Sequence, residues 1–248
     1  MEILVEPFMN ASVEAFGGEL VEYLMPTVNP PEQADYLFRS VEAIGELKCL
    51  ENDVLNDNHR AKLARLVMDW IRRGLIEPAE SITLDSHLVP EPCRREWLAL
   101  LRTPIQQVIK DANRQIRSTK HVLNFPSAKG IFFLANEAVS LPPQELMNLV
   151  HRVLSCRKTD GAAMYSNIDW IVLFTVNHPA WLRDAKRRAH YWLQVHRETP
   201  NAEMEDFLRR FRHECFRNLS ELNQVPLEEH LLGKSNLDAM TNFMAQQS

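Results

Sequence analysis

Asp35, Glu46 and Lys48 are polar residues within a stretch that is otherwise rich in apolar side chains. Glu46 and Lys48 are two positions apart, so in an extended strand both side chains project from the same face. Two convergent carboxylates would supply the hard oxygen ligands that Mg²⁺ takes, and a lysine beside them would lie next to a metal-bound water. Burying a charged pair in an apolar segment costs free energy unless it is paired or coordinated. These residues therefore predict a cation site.

Two short strands have to bring these residues together. The segments ADYLF (34–38) and VEAIGELKCL (41–50) predict an antiparallel hairpin that turns near Arg39–Glu42 and sets Asp35 alongside Glu46. The turn lacks the Asn-Gly signal, so the strand register is left open. The same alternation turns Cys49 to the sheet face opposite Lys48, where we expect it in the core.

A helix is predicted before this hairpin. Residues 12–25 carry apolar side chains at helical spacing, and Pro26 follows directly. Gly17 and Gly18 lie inside the segment, where glycine is unfavourable in a helix. They indicate either an unusually close contact or a helix that begins only after them.

Helices are also predicted after the hairpin. The first begins at Asp57 or Asn58 and ends near Gly74. A proline-containing connector follows, then a short helix around Arg95–Arg102 and a long helix from Pro104 to about residue 123, since proline is favourable in a first turn.

The second half of the chain predicts a strand, a helix and a strand. These are the apolar run 130–136, the amphipathic segment 141–156 and the apolar run 168–176. Two apolar strands joined by a helix are typical of a parallel crossover in a sheet buried on both faces. Residues 179–218 have a helical pattern, and we expect the remaining tail to be frayed.

Composition restricts the classes of protein. The chain has 248 residues, 45% hydrophobic and 25% charged, with a net charge of −5 and four scattered cysteines. It has no basic leader and no long apolar run, so we expect a cytoplasmic protein without a membrane segment. Two basic groups could each neutralise a few phosphates, although solvated helix faces are the favoured explanation of both. They are Arg183, Lys186, Arg187 and Arg188, and Arg209, Arg210, Arg212 and Arg217.

On these residues the sequence resembles the PD-(D/E)xK nuclease superfamily, which has the restriction-endonuclease-like fold. Ala34-Asp35 stands where the family often has Pro-Asp, and Glu46-Leu47-Lys48 stands as the (D/E)xK tripeptide. The missing proline is a departure, but that proline binds no metal. The family core runs helix, three strands, helix, strand, and the predicted elements follow that order.

The resemblance implies an α/β fold with a restriction-endonuclease-like mixed sheet. The nuclease-like core would occupy residues 1–177, with a helical insertion at about 51–103 and a helical C-terminal extension over 178–248. Such extensions commonly provide target recognition, homo-oligomer contacts or a surface for a partner protein. The implied activity is metal-dependent hydrolysis of phosphodiester bonds in DNA, conceivably in restriction or defence against foreign DNA.

The resemblance also assigns roles to the three residues. Asp35, Glu46 and the backbone carbonyl of Leu47 would hold Mg²⁺, for which Mn²⁺ is a substitute, and the metal would acidify a bound water. Lys48 would orient or deprotonate that water and stabilise developing negative charge. Many family members add a glutamate from the first helix. Glu19 is favoured here over Glu14 and Glu22.

The long helix after the hairpin carries further candidates. Arg114 and Arg117 belong to a basic face, while Gln115 and Lys120 border the apolar stripe from either side. Related families often contribute a Gln or Lys from this helix, so these four residues are predicted to contact DNA. An ordinary solvated face is the competing explanation.

Two other classes of function remain open. A nuclease-like fold that has lost its chemistry would be a DNA-binding or assembly module and would bind without metal. A helical scaffold in which Glu46 and Lys48 form only an ion pair would have no affinity for nucleic acid.

Overall fold

A mixed β-sheet forms the centre of the chain. The computed structural model describes residues 2–25, 32–50, 57–78, 89–137, 143–182, 187–197, 201–224, 227–231 and 241–245. The helices in these ranges are α1 Val5–Ala15, α2 Asp57–Arg72, α3 Glu91–Val122, α4 Pro143–Leu154 and α5 Ala202–Asn223. The strands are β1 Glu19–Leu20, β2 Tyr36–Phe38, β3 Ala43–Cys49, β4 Lys129–Ala135, β5 Trp170–Phe174, β6 Ala180–Leu182, β7 Arg187–His196, β8 Leu227–Leu231 and β9 Thr241–Ala245.

The described strands follow the order β1-β2-β3-β4-β5-β7-β9-β8, and β6 pairs with β7. The three central strands β3, β4 and β5 are parallel, whereas β1, β2 and β7 join them in antiparallel fashion. The predicted α/β class is therefore confirmed. So is the predicted parallel pairing of the strands on either side of α4.

Helices cover the sheet on both faces, as the apolar central strands predicted. On one face, buried residues of α3 and α4 such as Ile109 and Val150 pack with Ile44 of β3. On the other face, α1 and α5 pack on Leu47, and the buried Phe211 of α5 lies at the centre of an aromatic cluster. Alternate residues of β3 thus point into different cores, because successive side chains of a strand point to opposite faces.

The first helix differs from its prediction over residues 12–25. Helix α1 ends at Ala15, and Gly17 then takes a left-handed φ of +87°, a conformation that glycine adopts without strain. The predicted close contact is present, since a Cβ on Gly18 would lie 2.6 Å from Val13 Cγ1 and 2.9 Å from Phe38 Cε1. The two glycines end the helix and let β1 approach β2.

The predicted short helix at 95–102 and long helix from Pro104 are one helix, α3. Pro104 lies inside it and is itself buried. The stripe of buried residues continues on both sides of Pro104, through Trp97 and Leu101 to Ile105 and Val108. Apolar burial along this stripe outweighs the hydrogen bond that a proline removes from a helix interior.

The C-terminal part is not the helical extension predicted for residues 178–248. Strand β7 pairs with β5, and β9 pairs with β7, so the same sheet continues into this region. Buried residues in β7 include Tyr191, Trp192 and Leu193. The tail expected to fray contains β9. None of the described helices combines the length and apolar character needed to cross a membrane.

Candidate functional site

The predicted hairpin is confirmed, and its register is now defined. Tyr36 lies opposite Gly45 and Phe38 opposite Ala43 in the antiparallel pairing of β2 with β3. The Asp35 amide donates to the Gly45 carbonyl at 3.1 Å. Extending the register by one residue sets Asp35 across from Glu46, on the sheet face that Glu46 shares with Lys48. A short 3₁₀ turn over Arg39–Val41 connects the strands.

Helix α3 holds the backbone just before Asp35. The Ala34 amide donates to Thr119 Oγ1 at 2.8 Å, and Gln115 Nε2 donates to the Gln33 carbonyl at 3.1 Å. The Asp35 carboxylate in turn accepts a hydrogen bond from the Leu47 amide at 2.7 Å. Contacts from α3 and from β3 therefore fix both the main chain and the side chain of Asp35.

Glu46 is a fully buried carboxylate beside a partly exposed cation. Its side chain is 0% exposed, and Lys48 Nζ lies 2.7 Å from Glu46 Oε1 with 26% of the lysine side chain exposed. Neither oxygen of Glu46 accepts a hydrogen bond of good directional geometry, so the lysine contact is mainly electrostatic. A buried carboxylate supported so sparingly is costly in a structural role and is suited to a ligand.

The two carboxyl groups influence each other's ionisation. Burial raises the pKa of Glu46 to about 9, with a further rise from the Asp35 charge and an opposing effect from Lys48. Burial also raises the pKa of Asp35, while the Leu47 amide and Lys48 oppose that rise. The pair thus has a deficit of positive charge, which is the electrostatic condition that favours binding a cation.

The donor set fits a hard divalent cation with retained waters. Within the described ranges, no group of three or more His, Cys, Asp or Glu side chains is arranged to hold a metal. A cation at Asp35 and Glu46 would have to complete its shell with water and backbone oxygen. Mg²⁺ behaves in this way, since it commonly binds one or two carboxylates and keeps several waters. The Leu47 carbonyl stays a predicted third ligand.

An open cleft of about 640 Å³ adjoins Lys48, the cation paired with Glu46. Lys48 lines it, together with His59 of α2, Glu32 and one face of α3 that runs from Thr103 to Gln115. Because Glu46 has no exposed surface and Lys48 has some, the cleft is where the ammonium group meets solvent. Both Arg114 and Gln115, predicted from the sequence to contact DNA, line this cleft.

Four residues of α3 were predicted to contact DNA. Two of them, Arg114 and Gln115, line the cleft, and both already have partners in the protein. Arg114 Nη2 lies 2.6 Å from Glu32 and 3.0 Å from Asp111, so carboxylates in the cleft already neutralise its charge. Gln115 holds the chain before Asp35 instead of pointing an open donor at solvent.

Arg117 is exposed on α3 and does not line the cleft. Lys120 lies at the other end of the sheet, where burial lowers its pKa and its charged neighbours are Asp169, Lys129 and Arg197. Lys129 begins β4 opposite Ala43, five residues before Lys48 on β3. Lys120 is therefore near the Ala43 end of β3 and not beside Lys48.

Glu19 is not part of a helix, and its carboxylate has another partner. It lies in β1 opposite Leu37 and accepts from Arg39 Nε at 2.6 Å, at the protein surface. Glu6 of α1 is instead the acid from this helix whose charge raises the pKa of Asp35. The sequence prediction missed Glu6 because it began the helix seven residues too late, at residue 12 instead of Val5.

Two basic groups were considered as phosphate contacts. Most of their described side chains form ion pairs with acidic residues of the protein. On α5, Arg210 pairs with Asp206 at 2.9 Å and Arg217 pairs with Glu214 and Glu221. Arg209 also pairs with Asp206, and Arg212 is buried. Arg183 and Lys186, and the side chains of Arg187 and Arg188, lie outside the described residues.

Thr119, Gln107 and His59 are site residues that sequence reasoning did not single out. Thr119 contacts a residue 85 positions away, so no local pattern could have indicated it.

Comparison of the chain with protein-family models, with curated proteins and with solved structures gave no match.

Proposed function

We propose that this protein is a metal-dependent nuclease of the PD-(D/E)xK type, with DNA as its substrate. The observation that carries the proposal is the convergence of Asp35, Glu46 and Lys48 on one face of a single hairpin. Two carboxylates of that kind suit Mg²⁺, and a lysine 2.7 Å from one of them suits a phosphate-handling role.

The order of elements around the hairpin also supports the proposal. Helix α1 is followed by β1, β2 and β3, each antiparallel to the next, then by α2, which lies in the predicted insertion, then by α3 and by β4 parallel to β3. Helix, three strands, helix, strand is the core order of the resembled superfamily. Asp35 directly before β2, and Glu46 with Lys48 in β3, would correspond to the motif positions of that superfamily.

The chemistry follows from the charges of these side chains. A bound Mg²⁺ would supply an activated water and neutralise charge on the scissile phosphate. Asp35 and Glu46 would hold the cation through their carboxylate oxygens. Lys48, as an ammonium group at the edge of the cleft, would donate a hydrogen bond to a phosphoryl oxygen as negative charge develops there, which stabilises the transition state. Water would add to phosphorus as one P–O ester bond breaks; solvent would take the proton that the water loses, and the leaving oxygen would gain a proton from solvent.

Cleavage of DNA by the full-length protein in Mg²⁺, Mn²⁺ or EDTA tests the proposal, with both single-stranded and duplex DNA offered. We expect cutting that EDTA stops and that Lys48→Ala reduces by a factor of roughly 10²–10³, as for loss of one transition-state donor. Lys110→Ala removes an exposed lysine of α3 outside the cleft and should cut normally.

Equal cutting by wild type and Lys48→Ala would refute the mechanism. Metal-independent DNA binding without cutting would favour a module that kept the fold and lost the chemistry. No affinity for DNA at all would leave Glu46 and Lys48 as a structural ion pair.

A further inference from the structure

The cleft beside Lys48 has a size that restricts what can reach the hairpin. Its volume of about 640 Å³ lies within the range of roughly 300–1,000 Å³ that is typical of small-molecule sites. A B-form duplex, with grooves of about 12 Å and 6 Å between its two strands, needs a far wider concave face. The cleft can receive a nucleotide or two from one strand.

Lys48 lies between the buried Glu46 and this cleft. The glutamate side chain has no exposed surface, while Lys48 is partly exposed and lines the cleft. A phosphodiester that contacts Lys48 must therefore lie between α3 and His59 of α2. A nucleotide that enters this space with its base must leave the base stack, as it does when an enzyme extrudes a nucleotide, and an unpaired strand does so without breaking base pairs.

The charges of the residues that line the cleft also favour an unpaired strand over a duplex. Duplex binding depends on neutralising many phosphates with lysine and arginine. Here the lining cations Lys48 and Arg114 are matched by the carboxylates of Glu32 and Asp111, and Arg114 contacts both acids. Polar groups such as Gln107 and buried apolar surface at Pro104 and Val108 complete the lining. This mixture suits an unpaired base and its sugar better than a row of phosphates.

We infer that the substrate of the hairpin is single-stranded nucleic acid, or an unpaired end or flap, rather than continuous duplex. This inference rests on the proposed nuclease function and specifies its substrate class. An unpaired strand is flexible enough to bend one phosphodiester into the cleft, and its base can pack on the apolar part of the α3 face.

Parallel cleavage assays with full-length protein and Mn²⁺ test the inference. The substrates are a fluorescein-labelled single-stranded oligonucleotide, the same sequence as a blunt duplex, and a covalently closed plasmid. We expect the single strand to be cut at least tenfold faster than either duplex, with all cutting sensitive to Lys48→Ala. Duplex cut as fast as single strand would overturn the inference and leave the nuclease proposal standing, whereas no Lys48-dependent cutting of any substrate would overturn both.

A variant that fills the cleft tests whether the cleft is responsible for the preference for single-stranded over duplex substrate. Gln107 is exposed on α3 and lines the cleft, so Gln107→Trp would fill it without disturbing the core. Val122→Trp adds the same side chain at the exposed end of α3, outside the cleft. We expect at least a tenfold loss of single-strand cutting for Gln107→Trp alone, with thermal stability unchanged. Normal cutting by Gln107→Trp would show that the strand does not enter the cleft.

Discussion

The Leu47 amide donates a hydrogen bond to the Asp35 carboxylate at 2.7 Å, so one residue of the central strand orients the acid on its neighbour. Leu47 lies between Glu46 and Lys48 in sequence. Its own side chain packs into the opposite core. The same short segment thus provides one acid, the lysine, the donor that fixes the second acid, and an apolar anchor.

Asp35→Asn should weaken cation binding while preserving the hairpin. The amide oxygen of asparagine can still accept from the Leu47 amide, but the ligand charge is lost. We expect at least a tenfold weaker affinity for Mn²⁺ by isothermal titration calorimetry, with an unchanged circular dichroism spectrum. Asp69→Asn changes an acid of α2 that pairs with Arg72 and Arg73, and it should leave Mn²⁺ binding intact. Wild-type affinity in Asp35→Asn would remove Asp35 from the site.

Glu46→Gln should stabilise the metal-free protein. Because burial raises the pKa of Glu46 to about 9, the folded protein takes up a proton here at neutral pH that the unfolded chain does not bind, and a neutral amide avoids this cost of folding. We expect the free energy of unfolding to rise by about 1–3 kcal/mol, roughly 2–10 °C in Tm for a chain of this size, while Mn²⁺ no longer raises Tm.

The control is Glu19→Gln, which removes a surface ion pair with Arg39 and should change stability by less than about 1 kcal/mol. A large loss of stability in Glu46→Gln would instead identify the Glu46–Lys48 contact as a structural ion pair.

Thr119→Val should weaken the cation site from a distance. The valine keeps the shape of threonine but leaves the buried Ala34 amide without its acceptor, at a cost of about 1–3 kcal/mol. The chain before Asp35 then loosens, so Mn²⁺ affinity falls together with stability. Thr119→Ser keeps the hydroxyl and should restore both. If calorimetry gives the same Mn²⁺ affinity for the valine and serine variants, Thr119 has no positioning role.

His190 should make stability fall with acid. Burial lowers its pKa from 6.5 to about 4, next to Thr175 Oγ1 at 3.4 Å. Between these two pH values the unfolded chain binds a proton that the folded protein excludes, so unfolding becomes easier as pH falls from about 6.5 to about 4. The full effect is about 3 kcal/mol.

Urea titrations of His190→Gln at pH 7.0, 5.5 and 4.5 should lack this component of the pH dependence. The matched variant His151→Gln, an exposed histidine of α4, should keep the wild-type slope. Identical slopes in wild type and His190→Gln would contradict the assignment.

The hairpin could be predicted from sequence because strand alternation is local. The two-residue spacing of Glu46 and Lys48 defined their common face before the register was known, whereas the pairing of β2 with β3 was needed to set Asp35 on that face. The first helix could not be predicted correctly, because Val13 and Leu20 pack into the same core from a helix and a strand and so imitate one helical stripe. Only the left-handed backbone at Gly17 separates the two elements.

Other errors arose where burial outweighs local preference. Pro104 normally indicates a helix boundary, yet the apolar stripe of α3 runs through it. Strand β7 begins with arginines and was predicted as helix, although Tyr191, Trp192 and Leu193 are typical of a buried strand. The hydrogen bond from Ala34 to Thr119 joins residues 85 positions apart, so no window on the sequence contains both.

One continuous helix, α3, places Gln107 in the lining of the cleft and Thr119 against the chain before Asp35. Under the proposed function, a substitution that shifts the position of this helix should alter KM and metal affinity in the same variant. Correlated losses of the two therefore report a displaced helix, and independent losses report a local defect. Under the proposed function, substitutions at the buried positions of α3 should affect both substrate entry and ligand spacing.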